Sequence, residues 1–363
     1  MELREFTTET TDPRERGHAL GERWAEQIVR TSRLYLDHFA ALGIPGERVR
    51  GIAERSHAAL RAWYPALAEE SDAMADAAGA ERWHVAAVGA RTEILAAAPP
   101  AREGECSTAV YAPPSSARPA SSGAETIQTW DWHSHLAPEG LLHRLTPAPG
   151  RTVKLFTEFG VPAKIGVNSA GLGLHFNILS HTTDDDEGGV PVHAVARRVL
   201  DEADTVEEAA AIAASARVSA STVLTVVGRG PDGLRAASLE LSPAGMAVVP
   251  ADGSGWILHT NHFLDAQLSD GDTIPVESTT KERFEHLERV HAAMAGLPLA
   301  ERARALCGAE GHDAPVCMRP DLAAPLHEQW STLLTISLDT EACALDVVAG
   351  SPDEAARAGF HRF

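Results

Sequence analysis

Of the four cysteines in this chain, Cys106 stands where chemistry could start, in Gly104-Glu105-Cys106-Ser107-Thr108, at the point where helical patterning gives way to strands. A thiol becomes a working nucleophile when a base takes its proton, its geometry is fixed and donors await the oxyanion. Residues of suitable type lie downstream: Asp131 in Thr129-Trp130-Asp131-Trp132, Asn168 in Gly166-Val167-Asn168-Ser169, and Asn261 in His259-Thr260-Asn261-His262. An amide N–H aimed at a developing oxyanion contributes about 3–4 kcal/mol. Each residue also has a purely structural reading, with Cys106 a small buried apolar group, Asp131 a turn cap and the asparagines turn residues. Spacing alone does not assemble them.

Other chemistries find less support. The chain has no phosphate-binding GxxxxGK[ST] loop, no HExxH and no GxSxG elbow. The glycine-rich run 166–173 lacks dinucleotide-binding spacing and leads into Leu174-His175-Phe176, so it reads as a turn between two strands. His133 and His135 fall on one side of a strand, but no third metal ligand is near in sequence, and a solvated pair is expected. An internal cysteine–histidine pair using His133 or His259 is an alternative way to activate a thiol.

The elements that must position these groups fall into two grammars. Apolar residues recur at helical intervals over 21–42, 47–63 and 66–97, until Pro99 and Pro100 end any helix. Period-two patterning follows over 106–112, 125–133, 141–147, 153–159 and 164–178, with a Pro/Ser/Ala loop at 113–122. Helices are expected at 192–200 and 205–216, the second opened by Thr205 with Glu208 three residues on. Strands at 221–228, 236–241, 245–249 and 256–260, helices at 279–294 and 299–306, and a hairpin of 332–339 with 342–348 complete the order. Such an order predicts sheets covered by segregated helical layers.

Composition narrows the partners. Lys plus Arg number 31 against 51 Asp plus Glu, a net charge of −20. That surface repels phosphate backbones and anionic lipid, which argues against nucleic-acid and membrane binding. No apolar signal segment opens the sequence and no run reaches membrane-span length, so a cytoplasmic protein with reduced thiols is expected.

Taken together, these segments resemble the acyl-coenzyme A:6-aminopenicillanic acid acyltransferase family, self-processing cysteine enzymes of the N-terminal nucleophile (Ntn) hydrolases. The resemblance runs from about 104 to 350 and includes Thr260-Asn261-His262-Phe263, Ser278-Thr279-Thr280-Lys281-Glu282-Arg283, Cys317-Met318-Arg319-Pro320 and Trp330-Ser331-Thr332-Leu333. It implies an α+β fold, a four-layer αββα sandwich with an N-terminal helical segment, made as a precursor. Cleavage of Glu105–Cys106 would leave a helical fragment 1–105 associated with a core fragment 106–363.

Carried over by motif, Cys106 is nucleophile and, through its freed α-amine, base. Asp131 orients that amine, Asn261 is the oxyanion amide, and Asn168 holds substrate or shares the oxyanion. Arg283 is a carboxylate-holding or structural cation, and Ser331 lies near substrate. One departure stands out: the family places glycine directly before the nucleophile, whereas here Glu105 occupies that position and glycine precedes it. A side chain there is expected to slow cleavage or alter its pH dependence, because glycine admits the strained geometry that cleavage favours. The implied substrate is a small N-acyl amino compound or peptide, without cofactor or metal, with acyl-CoA as a candidate co-substrate. A homo-oligomer is compatible with the sequence. The alternative is an uncleaved, non-catalytic relative that binds a small amide metabolite.

Overall fold

The computed structural model describes residues 1–98, 104–113, 123–231 and 233–363. The Pro99-Pro100 stop and nearly all of the loop expected at 113–122 lie outside the described residues. Two sheets stack face to face. One has eight strands in the order Glu2–Thr8, Glu139–Leu145, Val153–Thr157, Ile165–Asn168, Gly173–Ile178, Thr222–Gly230, Gly233–Ser242 and Gly245–Pro250. The other has six, in the order Trp256–His259, Glu105–Tyr111, Glu125–Trp132, Ser331–Asp339, Ala344–Val348 and His361–Arg362. Neighbours are antiparallel except that Glu2–Thr8 runs parallel to Glu139–Leu145. Helices Val192–Glu202 and Val206–Ala214 cover the first sheet, and Thr280–Val290 and Pro352–Ala358 pack on the second, giving the αββα sandwich.

Strands buried on both faces read as apolar runs, and the largest core cluster places Leu155, Leu174 and Leu224 on the helix-facing side of the first sheet and Phe156, Trp130, Leu334 and Ile336 between the sheets. Polar groups buried there are paired, as they must be. Gln128 Nε2 of the second sheet donates to Phe176 O of the first at 2.7 Å, and Thr108 Oγ1 donates to Asn177 Oδ1 at 2.8 Å.

The front of the chain is not wholly helical. Its helices are Pro13–Arg23, Ala25–Ala41, Gly46–Trp63, Pro65–Ala78, Arg82–Gly89 and Arg91–Leu95, but Glu2–Thr8 is an edge strand. Seven mixed residues that pair on one side only carry weak alternation, and the sequence pattern misses them. The glycine-rich run expected as a turn between two strands is one, with Ile165–Asn168 on one side and Gly173–Ile178 on the other. Two buried ion networks join the front to the sandwich. Glu70 accepts from Arg16 Nε at 2.9 Å and Arg197 Nη1 at 2.8 Å, and Glu158 accepts from Arg91 Nη1 at 2.5 Å and Tyr35 Oη at 2.6 Å. Both carboxyls are held at about 2, below their usual range, because the guanidinium charges outweigh the desolvation that acts to raise them. No helix among the described residues is long and apolar enough to cross a membrane.

Candidate active site

Cys106 is the second residue of Glu105–Tyr111, and its neighbour across the sheet is Trp130. Directly paired residues share a face, so the thiol and the Trp130 ring point the same way, toward the other sheet. Gly104 leads into the strand with φ +71°, and a Cβ there would lie 2.5 Å from the Trp132 ring. Glycine at 104 is thus demanded twice, by conformation and by space.

The main chain of Cys106 is clamped. Cys106 N donates to Asn261 Oδ1 at 2.9 Å, while Asn261 Nδ2 donates to Ile178 O at 2.9 Å. Arg283, fully buried, donates from Nη1 to Cys106 O at 2.5 Å and to Ser107 Oγ at 3.0 Å, and from Nη2 to Asn261 Oδ1 at 2.9 Å. Asp131 sits opposite Glu105 in the strand pairing and accepts from Thr332 Oγ1 at 2.5 Å. Ser331 pairs with Trp132 at the mouth of its strand and is half-buried.

Glu105, which alternation along the strand turns to the opposite face, has its carboxylate docked rather than solvated. Oε1 accepts from Ser278 Oγ at 2.7 Å and Thr279 N at 2.9 Å, Oε2 from Thr279 Oγ1 at 2.8 Å, and Arg283 Nη2 lies 3.4 Å away. Its donors stand at the start of helix Thr280–Val290, whose positive end favours an anion.

The structure brings Cys106, Asp131, Asn261, Arg283 and Glu105 together. Asn168 is elsewhere, facing the end of helix Val192–Glu202 on the outer side of the first sheet. Its Nδ2 donates to Leu200 O at 3.0 Å and Ala203 O at 2.8 Å, and its Oδ1 accepts from Ala170 N and Leu172 N. His133 is buried and packed on Trp330, with centroids 4.2 Å apart, instead of solvated, and His38 joins it and His135. Among the described residues no group of three or more His, Cys, Asp or Glu side chains is placed to hold a metal ion. His259 faces Glu240 through Nε2 at 2.7 Å and Thr260 O through Nδ1 at 3.0 Å, so its ring nitrogens point away from the thiol.

Two residues missed in the sequence belong to this site. Asn177 Nδ2 reaches Thr260 O at 3.0 Å and Cys106 O at 3.4 Å, tying the Asn261 segment to Cys106. Lys164 Nζ lies 3.3 Å from the centre of the Trp130 ring and 2.6 Å from Glu158 Oε2. A lysine leading into an apolar strand, in Pro162-Ala163-Lys164-Ile165, was the available signal. Burial, reinforced by Arg91, pushes the Lys164 ammonium down to about 7. Burial and the Asp131 charge push the Cys106 thiol up to about 12, against the pull of Lys164 and Arg283.

Sandwich and site together define an Ntn-hydrolase-like protein. The sequence profile of the acyl-coenzyme A:6-aminopenicillanic acid acyl-transferase family matches residues 120–354. The chain belongs to that family. It is 30% identical over 228 residues to the acyl-coenzyme A:6-aminopenicillanic-acid-acyltransferase 40 kDa form of Emericella nidulans, an alignment spanning 62% of this chain and 60% of that relative. Solved structures with similarity include a mutant conjugated bile acid hydrolase from Clostridium perfringens, at 13% identity and TM-score 0.43, covering 67% of this chain and 89% of that one. A second is penicillin V acylase from Agrobacterium tumefaciens, at 15% identity and TM-score 0.39, covering 68% and 76%. A third is the Caenorhabditis elegans N-acylethanolamine-hydrolyzing acid amidase ortholog, at 13% and 0.43, covering 64% and 93%.

Proposed function

We propose that this protein is a hydrolase or acyltransferase of small acyl and amide compounds that cuts itself before Cys106 and then uses that residue as an N-terminal nucleophile. The observation carrying the reading is the clamp on Cys106: its N–H on Asn261, its carbonyl on Arg283, and the preceding carboxylate anchored on Ser278 and Thr279. Such a clamp restrains the peptide bond on both sides while the thiol remains the reactive group. Family membership supports the acyl-transfer chemistry.

In the uncut chain the thiol gives up its proton and the sulfur attacks the Glu105 carbonyl carbon. The C–N bond breaks, the nitrogen takes a proton, and a thioester joins Glu105 to Cys106. Water opens the thioester and frees an α-amine of pKa about 8. Burial and the Asp131 charge keep the thiol protonated at neutral pH, so self-cutting is expected to quicken as pH rises. The new amine, beside its own sulfur and within reach of Asn261 Oδ1, then serves as base for substrate. Substrate acylates the sulfur, and water or an amine removes the acyl group. The two fragments remain associated.

Intact mass and denaturing electrophoresis of fresh wild type and Cys106→Ala test this. Fragments split before Cys106 in wild type alone are expected. A single full-length species in both, across pH and time, would overturn the reading and favour an uncut protein that binds a small amide.

A further inference from the structure

The chain carries its own first substrate, and the shape of that substrate is visible. The bond to be cut is the amide of an acyl group whose carbonyl carbon belongs to Glu105. From that carbon the acyl skeleton runs through Cα, Cβ and Cγ to the side-chain carboxylate, a five-carbon dicarboxylic unit. Its far carboxylate, only 2% exposed as part of Glu105, is received by Ser278 Oγ, Thr279 N and Thr279 Oγ1, with Arg283 at 3.4 Å. Arg283 also holds Cys106 O, so one guanidinium fixes the distance between the nucleophile and the carboxylate site. Every donor in this site lies in 106–363, whereas the carboxylate lies in 1–105. Self-cutting therefore puts the ligand and its binding site on different chains.

We infer that the Ser278–Thr279–Arg283 pocket is the acyl-carboxylate subsite of the cut enzyme, selecting amides of five-carbon dicarboxylic acyl groups, glutaryl or α-glutamyl. The inference rests on the self-cutting reading above. With a glutaryl amide, the sulfur bonds to the acyl carbonyl, the amine leaves with the thiol proton, and the distal carboxylate takes the place of the Glu105 side chain. Water then breaks the C–S bond, releasing glutarate and restoring the thiol. An acyl group of the same length without the carboxylate leaves buried hydroxyl, amide and guanidinium donors unanswered, which is the costly direction of mismatch.

The test uses the full chain, with its cut state read by mass. N-glutaryl, N-succinyl and N-pentanoyl p-nitroanilides are compared, the last matching glutaryl in carbon number without the charge. The glutaryl compound is expected to exceed both others at least about tenfold in kcat/KM, the scale of a lost charge-assisted pair. Thr279→Val should bring the glutaryl-to-pentanoyl ratio toward one, chiefly through KM. Glu105→Ala, once cut, should keep the wild-type ratio because its 106–363 fragment is unchanged. Free glutarate, unlike pentanoate, should protect Cys106 from iodoacetamide, a readout that needs no turnover. A cut protein with no glutaryl preference and no protection overturns the subsite while leaving the self-cutting reading intact. An uncut chain overturns both, since Glu105 then never vacates the pocket, and mass separates the two failures.

Discussion

The turns at Asn168 and Asn261 use one side-chain chemistry for two purposes. At Asn168, both ends of the amide close on local backbone, two donors on the end of helix Val192–Glu202 and two acceptor contacts within its own turn. At Asn261, one end anchors on Ile178 O while the other receives the Cys106 N–H and an arginine. An amide consumed by its own turn is architecture. An amide shared with the main chain of Cys106 bears on the proposed reaction.

The comparison can be broken by experiment, most severely at the nucleophile. Cys106→Ala should abolish both self-cutting and turnover, reducing them to background in mass and p-nitroanilide assays. Asn261→Ala should slow cutting by about 10²-fold, the scale of a lost positioning group, as followed by electrophoresis over time, since the Asn261 Nδ2 is engaged with Ile178 O and its Oδ1 holds Cys106 N. Unimpaired cutting in that variant would erase the distinction drawn here.

Alkaline pH sharpens the picture further. Because the Cys106 thiol is raised to about 12, the rate of cutting should climb nearly tenfold per pH unit from 7 to 9, and a flat profile would show that thiolate formation is not limiting. The same shift has a sign for stability. A thiol whose folded value exceeds its unfolded value stabilises the fold fully below about 9, and that contribution fades as pH rises toward 12.

The smallest effect on activity belongs to Asn168→Ala. Four hydrogen bonds vanish and buried backbone groups lose partners, so unfolding free energy should fall by about 2–4 kcal/mol. Cutting at 25 °C should stay within about twofold of wild type. A stable Asn168→Ala protein that fails to cut would move Asn168 back into the chemistry.

How much of this could be read in the sequence depends on the range of the interaction. Strand Glu105–Tyr111 and the Thr205 cap, whose Oγ1 accepts from Glu208 N at 3.2 Å, are local patterns and were legible. Edge strand Glu2–Thr8 was not, since its partner Glu139–Leu145 is more than a hundred residues away. The roles of Lys164 and Asn177 depend on one sheet packing against another, and no spacing encodes that. Glu105 is the instructive case. Beside a scissile bond it reads as an obstacle, and only the fold supplies the hydroxyls and helix end that hold it.

Strand Glu2–Thr8 has a further consequence for a chain cut at Glu105–Cys106. It lies in a sheet whose other seven strands all come from beyond the cut, and the Glu70–Arg197 and Arg91–Glu158 pairs span the same divide. Before the cut, those contacts form within one connected chain. Afterwards, the same coordinates can be regained from the denatured state only by a meeting of two molecules, at a rate set by dilution. A chain cut in this way would keep a record of its past, assembled once as a single molecule and thereafter preserved by slow unfolding rather than by easy return.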